Sequence, residues 1–170
     1  MGDRVAVVMA AGQGTRMKSD LPKVLIPVCG RAMIHYVLDA LNAAGVGRVV
    51  VVVGYRADLV RKELADLQGV EFADQTEQRG TGHAVMMCRD ALANHDGPVC
   101  VVAGDSPMMR ADSLLALLDE FDRSRPACLL GTAHKDDPTG LGRVVRDSAG
   151  DFVAIVEEKD APEEQRKITE

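Results

Sequence analysis

A chain of 170 residues is long enough for one domain with its own core and short for two. Its 46% hydrophobic and 27% charged residues argue against wholesale disorder. Only 3% are aromatic, none is Trp and the net charge is −6, which argues against a stacking groove for nucleic acid or a broad polyanion-binding surface but leaves room for a local basic pocket.

Cys29, Cys88, Cys100 and Cys128 form no CxxC pair, so they read as reduced, mostly buried thiols of a cytoplasmic protein rather than as a disulfide frame or zinc site. No apolar run approaches the roughly 18 residues of a membrane span. The N-terminus lacks the order of a signal peptide, and the expectation is a soluble, cytoplasmic protein without membrane partners.

In chain order, Arg4–Met9 reads as a strand ending in small residues, and Ala32–Ala44 has helical spacing with Gly45 as its stop. Arg48–Val53 is apolar on both faces, as a central parallel strand should be. Arg56–Leu67 predicts a helix, Val70–Ala73 a short strand, Thr81–Asn94 a helix and Pro98–Ala103 a buried strand. A helix over Asp112–Arg123, near-capped by Asp112 or Ala111, and a strand over Ala127–Thr132 follow. Arg143–Arg146 and Asp151–Val156 flank Asp147–Gly150 as an antiparallel hairpin, and the charged stretch from Lys159 to Glu170 is expected to hold no packed element. With no repeat or interdomain linker, β-α-β alternation implies an α/β fold, a doubly wound, mostly parallel, Rossmann-like sheet with a small C-terminal hairpin. Ligands of such sheets sit outside the carboxyl ends of the strands.

The connection from Gly12 to Gly30 far exceeds the about 2–6 residues usual between strand and helix, and long connections are commonly functional. Gly12 and Gly14 permit a tight turn with N–H groups turned to an anion. Arg16, Lys18 and Lys23 add cations against the single acid Asp20. This is the make-up of a polyphosphate cradle, although a solvated glycine-rich loop has the same composition. The stretch fits neither GxxxxGK[ST] nor a dinucleotide fingerprint, since Met17 stands where the third glycine belongs.

Other candidates carry two readings each. Asp105, after Gly104 at a strand end, suits Mg²⁺, which takes few protein oxygens, or a turn before Ser106-Pro107. Gln75 can pair with a pyrimidine edge but can flip to suit uracil or cytosine; alternatively its stretch is solvated and Thr81 caps a helix. His83, in the first turn of the predicted helix, reads as a packed histidine. His35, His95 and His134 lack metal-ligand spacing. Met86-Met87 and Met108-Met109 read as core and loop filling, and Glu157–Asp160 as a solvated charge run.

AAGQGTRMKSDLPKVL, Ala10 to Leu25, resembles the LxxGxGTRM…PK motif of sugar-phosphate nucleotidyltransferases. The order of QTEQRGTGHA from Gln75, Ala103-Gly104-Asp105, DDPTGLGR from Asp136 and IVEEKDA from Ile155 looks most like the uridyltransferase domain of bacterial bifunctional N-acetylglucosamine-1-phosphate uridyltransferase/glucosamine-1-phosphate acetyltransferases. The resemblance implies transfer of UMP from UTP to N-acetylglucosamine 1-phosphate with release of pyrophosphate, in the supply of cell-wall precursors. It assigns catalysis to Arg16 and Lys23, and Mg²⁺ to Asp105. Met9, Ala10, Ala11, Gly12 and Gly14 would line the nucleotide pocket with Ala103 and Gly104. Gln75, Gly80 and Thr81 would hold the base, and Gly142 and Glu157 the sugar. A CTP-using or other sugar-phosphate enzyme, or a nucleotide-binding module without turnover, stays open, as does assembly of several copies. The resemblance also implies further sequence after Glu170, with a sugar-holding asparagine, a second metal ligand and an acetyltransferase β-helix. The expectation is one nucleotidyltransferase domain, incomplete at its C-terminus and severely lowered in activity.

Overall fold

The computed structural model describes residues 4–14 and 17–170, which gather into two compact units, Met1–Arg125 and Pro126–Glu170. In the first, β1 (Val5–Ala10) is followed by a 3-10 turn at Lys23–Leu25 and an antiparallel ribbon of β2 (Pro27–Val28) and β3 (Arg31–Ala32). Then come α1 (Met33–Ala43), β4 (Arg48–Val53), α2 (Ala57–Glu63), β5 (Val70–Asp74), α3 (Thr81–Met86), β6 (Val99–Ala103) and α4 (Ala111–Ser124). The second unit holds the hairpin β7 (Arg143–Arg146) and β8 (Phe152–Val156) and a short α5 (Glu163–Arg166).

Four parallel strands pair in the order β5-β4-β1-β6, with Val7 opposite Val50 on one side and Val101 on the other. Side chains alternate across a strand, so a strand buried on both faces must be apolar at every position. In β1 and β4, Ala6, Val8, Val49, Val51 and Val53 join the core built with α1, α2 and α4. Val5, Val7, Val50 and Val52 join a second core with Ala84 and Cys88. Covering both faces accounts for the unbroken run RVVVVV, and each fully buried valine contributes about 1.5–3 kcal/mol.

Several elements depart from expectation. β6 alternates rather than being buried throughout, because only one of its faces is covered: Cys100 and Val102 join the core with α4, while Val99 and Val101, on the other face, are exposed. Helical bonding in α3 ends at Met86, and irregular turns such as Arg89 N–H to Met86 carry the chain to Asn94. The apolar spacing nevertheless buries Ala84 and Cys88, with Ala91 and Leu92 packed beside them. The helix expected to reach Leu67 ends at Glu63 and relaxes into turns, and α4 begins one residue early with Arg110 as its N-cap.

Ala127–Thr132 forms no strand; none of its residues finds a ladder partner, and all but Leu129 are exposed. The terminal stretch holds a short helix, α5, none of whose residues is buried. Beyond α5, Lys135 N–H donates to Thr169 and Val144 N–H to Glu170, which ties the end to the hairpin. Only Cys88 and Cys100 are buried, with burial pushing both thiols up, while Cys29 and Cys128 are exposed; all four are free. Met87 and Met109 pack as fillers, whereas Met86 and Met108 stand exposed. Among the described residues no helix is long and apolar enough to cross a membrane.

Candidate functional site

β1 is flanked by β4 on one side and β6 on the other, so the chain leaves it in opposite directions and a crevice opens at its carboxyl end. A cavity of about 350 Å³ occupies that place in the first unit. It is lined by Met9, Ala10, Ala11, Gly12, Gly14 and Lys23 from β1 and its loop, by Gln75, Gly80 and Thr81 after β5, and by Ala103 and Asp105 after β6. Val24, Gln78 and Ala84, which the sequence reading passed over, also line it.

The loop is held from several sides. Pro22, with φ −51°, leads into the turn that carries Lys23, and Leu25 N–H closes that turn on the Pro22 carbonyl at 2.9 Å. Gly14 has φ +67°, and a Cβ there would stand 2.7 Å from the Lys23 Cβ, so the glycine both makes the turn and leaves room for the lysine stem. Ala11 accepts from Tyr55 N–H at 3.0 Å, and Tyr36 OH donates to Val28 at 2.7 Å, tying the β2–β3 ribbon to α1.

Lys23 Nζ lies 2.5 Å from an Asp105 carboxylate oxygen, and both side chains are partly exposed at the cavity. Among the described residues Asp105 makes no turn-capping bond, so its partner here is the lysine. Gly104 precedes Asp105, its N–H bonded to the Met9 carbonyl at 2.9 Å, and a Cβ there would press on the Met9 oxygen and the Val8 and Val24 side chains at 3.1–3.2 Å.

Gln75 follows β5 and is almost fully buried at 3% exposure, far from the solvated loop residue of the plainer reading. Its backbone N–H donates to Val53 at 2.8 Å. Its side-chain Nε2 donates to the Gly80 carbonyl at 3.1 Å and to His83 Nδ1 at 3.0 Å. Gly80, with φ +100°, is the N-cap residue of α3, so Thr81 is its first residue and not its cap. His83 is half-buried as expected of a packed ring, but its bond to Gln75 went unforeseen.

Arg16 lies outside the described residues. Gly142 and Glu157 belong to the second unit. Gly142 packs close to Ile155, where a Cβ would meet Cγ2 at 3.2 Å, and Glu157 is exposed. In that charge run it is Glu158 that is engaged, accepting from Gly140 N–H and Arg143. Among the described residues no group of three His, Cys, Asp or Glu side chains could hold a metal. A single carboxylate beside an anion-sized cavity still fits Mg²⁺, which fills its shell with phosphate oxygens and water.

The MobA-like NTP transferase domain matches residues 6–162. The chain belongs to this family. Within it, all 170 residues align at 46% identity with the bifunctional protein GlmU of Listeria innocua and at 44% with that of Bacillus licheniformis. The chain spans 37% of the length of these relatives. Among solved structures, a Bacillus anthracis protein assigned as a glucose-1-phosphate thymidylyltransferase superposes with a TM-score of 0.77 at 18% identity, covering 98% of this chain and 67% of the other. That last likeness carries the fold alone, and it agrees with the parallel sheet described above.

Proposed function

We propose that the chain performs the uridyltransferase chemistry of its GlmU relatives, forming UDP-N-acetylglucosamine and pyrophosphate from UTP and N-acetylglucosamine 1-phosphate. The observation that carries the reading is the Lys23–Asp105 pair at the mouth of a cavity at the sheet's switch point. The identity with GlmU across all 170 residues supports it. A phosphate oxygen of the sugar phosphate attacks the α-phosphorus of UTP, the bond from that phosphorus to the bridging oxygen breaks, and pyrophosphate leaves. A phosphate dianion is already a nucleophile, so the protein's work is positioning and charge neutralisation.

Lys23, with Arg16 by resemblance, supplies positive charge to the triphosphate. Backbone groups from Met9 to Gly14 cradle the nucleotide, Gln75 and Gly80 hold the base, and Gly142 and Glu157 are assigned to the sugar. Asp105 would hold Mg²⁺, which when bound lowers the repulsion between the two anions. The reading includes one domain acting in the cytoplasm on small molecules. The test is Mg²⁺-dependent UTP binding and sugar-phosphate-dependent pyrophosphate release by the chain, beside Lys23→Ala and Asp105→Ala. Both variants are expected to stay folded and to lose about a hundredfold in release. Undiminished release in either, or a chain that binds no UTP, would overturn the reading.

A further inference from the structure

We infer that His83 is a positioning residue: by holding the second amide hydrogen of Gln75, the residue assigned above to the base, it helps fix that amide with its oxygen outward, the orientation that accepts an N3–H. This rests on the nucleotidyltransferase reading above and concerns which base the site accepts. A glutamine amide offers two donors on one end and an acceptor on the other, and its partners decide which end points where.

The Gly80 carbonyl settles the sense, because it can only accept. It takes one hydrogen from Gln75 Nε2 at 3.1 Å while also accepting from Ala84 N–H at 3.2 Å, using both lone pairs. The second Nε2 hydrogen goes to His83 Nδ1 at 3.0 Å, which requires a bare Nδ1 and places the imidazole proton on Nε2. Turning the amide over would set its oxygen against the Gly80 oxygen, two acceptors face to face. Both donors are therefore spent inside the protein.

Oε1 accepts no hydrogen bond among the described residues. Yet no side-chain nitrogen or oxygen among them is both sealed from solvent and unpartnered. Oε1 therefore keeps an opening, and the cavity that Gln75 lines supplies it. An acceptor fixed at that place pairs with the N3–H of uracil and opposes the bare N3 of cytosine. Leaving a buried polar group unpaired is the strongest means a site has of rejecting a near-isostere.

Without an acceptor at position 83 the second amide hydrogen is stranded, and only the Gly80 carbonyl still opposes turning the amide over. His83→Leu should therefore erode the choice of base, while His83→Asn, whose Oδ1 can stand where Nδ1 stands, should keep it. The experiment is titration of the chain with UTP and with CTP in the presence of Mg²⁺, joined to ¹⁵N NMR of the His83 ring. The parent is expected to bind UTP at least about tenfold more tightly than CTP. The ratio should fall to about threefold or less in His83→Leu and return in His83→Asn. The spectrum should show His83 protonated at Nε2 with a coupling from Gln75 Nε2 to Nδ1. A ratio unchanged in His83→Leu, equal binding of the two nucleotides by the parent, or a proton on Nδ1 would overturn the inference and leave the nucleotidyltransferase reading standing. A merely structural role for His83 would weaken both nucleotides alike, which overturns it too. A parent that binds neither nucleotide would overturn the underlying reading, and this inference with it.

Discussion

A Cβ on Gly54 would lie 2.9 Å from the Gln75 carbonyl oxygen and 3.0 Å from both the Ala11 Cβ and the Ala11 oxygen. Two of these three neighbours are backbone, and all belong to residues that line the cavity, so none can move aside without carrying the site with it. Gly54→Ala should therefore cost about 1–3 kcal/mol through overpacking and widen the floor between Ala11 and Gln75. Thermal denaturation should show a lower melting temperature, and UTP titration a weaker affinity. A variant unchanged in both would show that the floor yields freely. The sequence marks Lys23 through the clustered cations of a long glycine-bearing loop, whereas Asp105 and Gln75 carry two readings each and only the resemblance chooses between them. Gly54 stays invisible, since nothing in VVVGYR separates a turn glycine from one pressed between two strand ends. The bond from Gln75 to His83 is equally hidden. A histidine in the first turn of a helix looks the same whether its ring faces core or cavity.

At the scale of elements, the second unit is fastened by ion pairing more than by a core. Arg146 donates to both carboxylate oxygens of Glu170, at 2.7 and 2.6 Å, Thr132 adds a third bond at 2.7 Å, and the Glu170 backbone oxygen accepts from Val144 N–H at 2.9 Å. The Arg146 guanidinium, with help from Thr132, holds the Glu170 carboxyl down at about 2, against an ordinary value of 4.5. A carboxyl lowered on folding stabilises the fold fully above its unfolded value, and that contribution fades as pH falls through the folded one. Amide exchange at Val144, corrected for intrinsic rate, should lose protection as pH drops from about 4.5 toward 2. Glu170→Gln should show weaker protection at neutral pH and a flatter profile across that window. Identical profiles would mean that the side-chain pair fastens nothing. This clasp was illegible because the closing stretch reads only as charge, and charge alone does not say which residue it meets. β1 and β4 were legible for the opposite reason, since burial on both faces leaves a strand no choice of residue. Ala127–Thr132 shows the limit of that signal: an apolar run is a strand only where a partner offers it a ladder.

For the whole molecule, the two units differ in how they are held. Both hydrophobic cores, from Val5 to Leu118, lie within Met1–Arg125, and so does every residue lining the cavity. Arg4 fastens the start of β1 to α4 by donating to Asp119 and Asp122 at 3.2 and 2.7 Å, closing the first unit on itself. A four-stranded sheet whose central strands are buried on both faces, with its own cores and the cavity, has what an independent folding unit requires. A fragment of residues 1–125 should therefore unfold in a single cooperative transition and bind UTP within a few-fold of the 170-residue chain. Residues 126–170 alone, with a hairpin whose Phe152, Val153 and Ile155 are exposed, should not hold a stable fold, because a lone two-stranded ribbon is marginal in water. Calorimetry and UTP titration of the two fragments decide the matter. If 1–125 melts without cooperativity, the second unit is part of what stabilises the first. If it folds but binds UTP more than tenfold more weakly, nucleotide affinity depends on residues beyond Arg125, and the division of labour drawn from the position of the cavity is wrong.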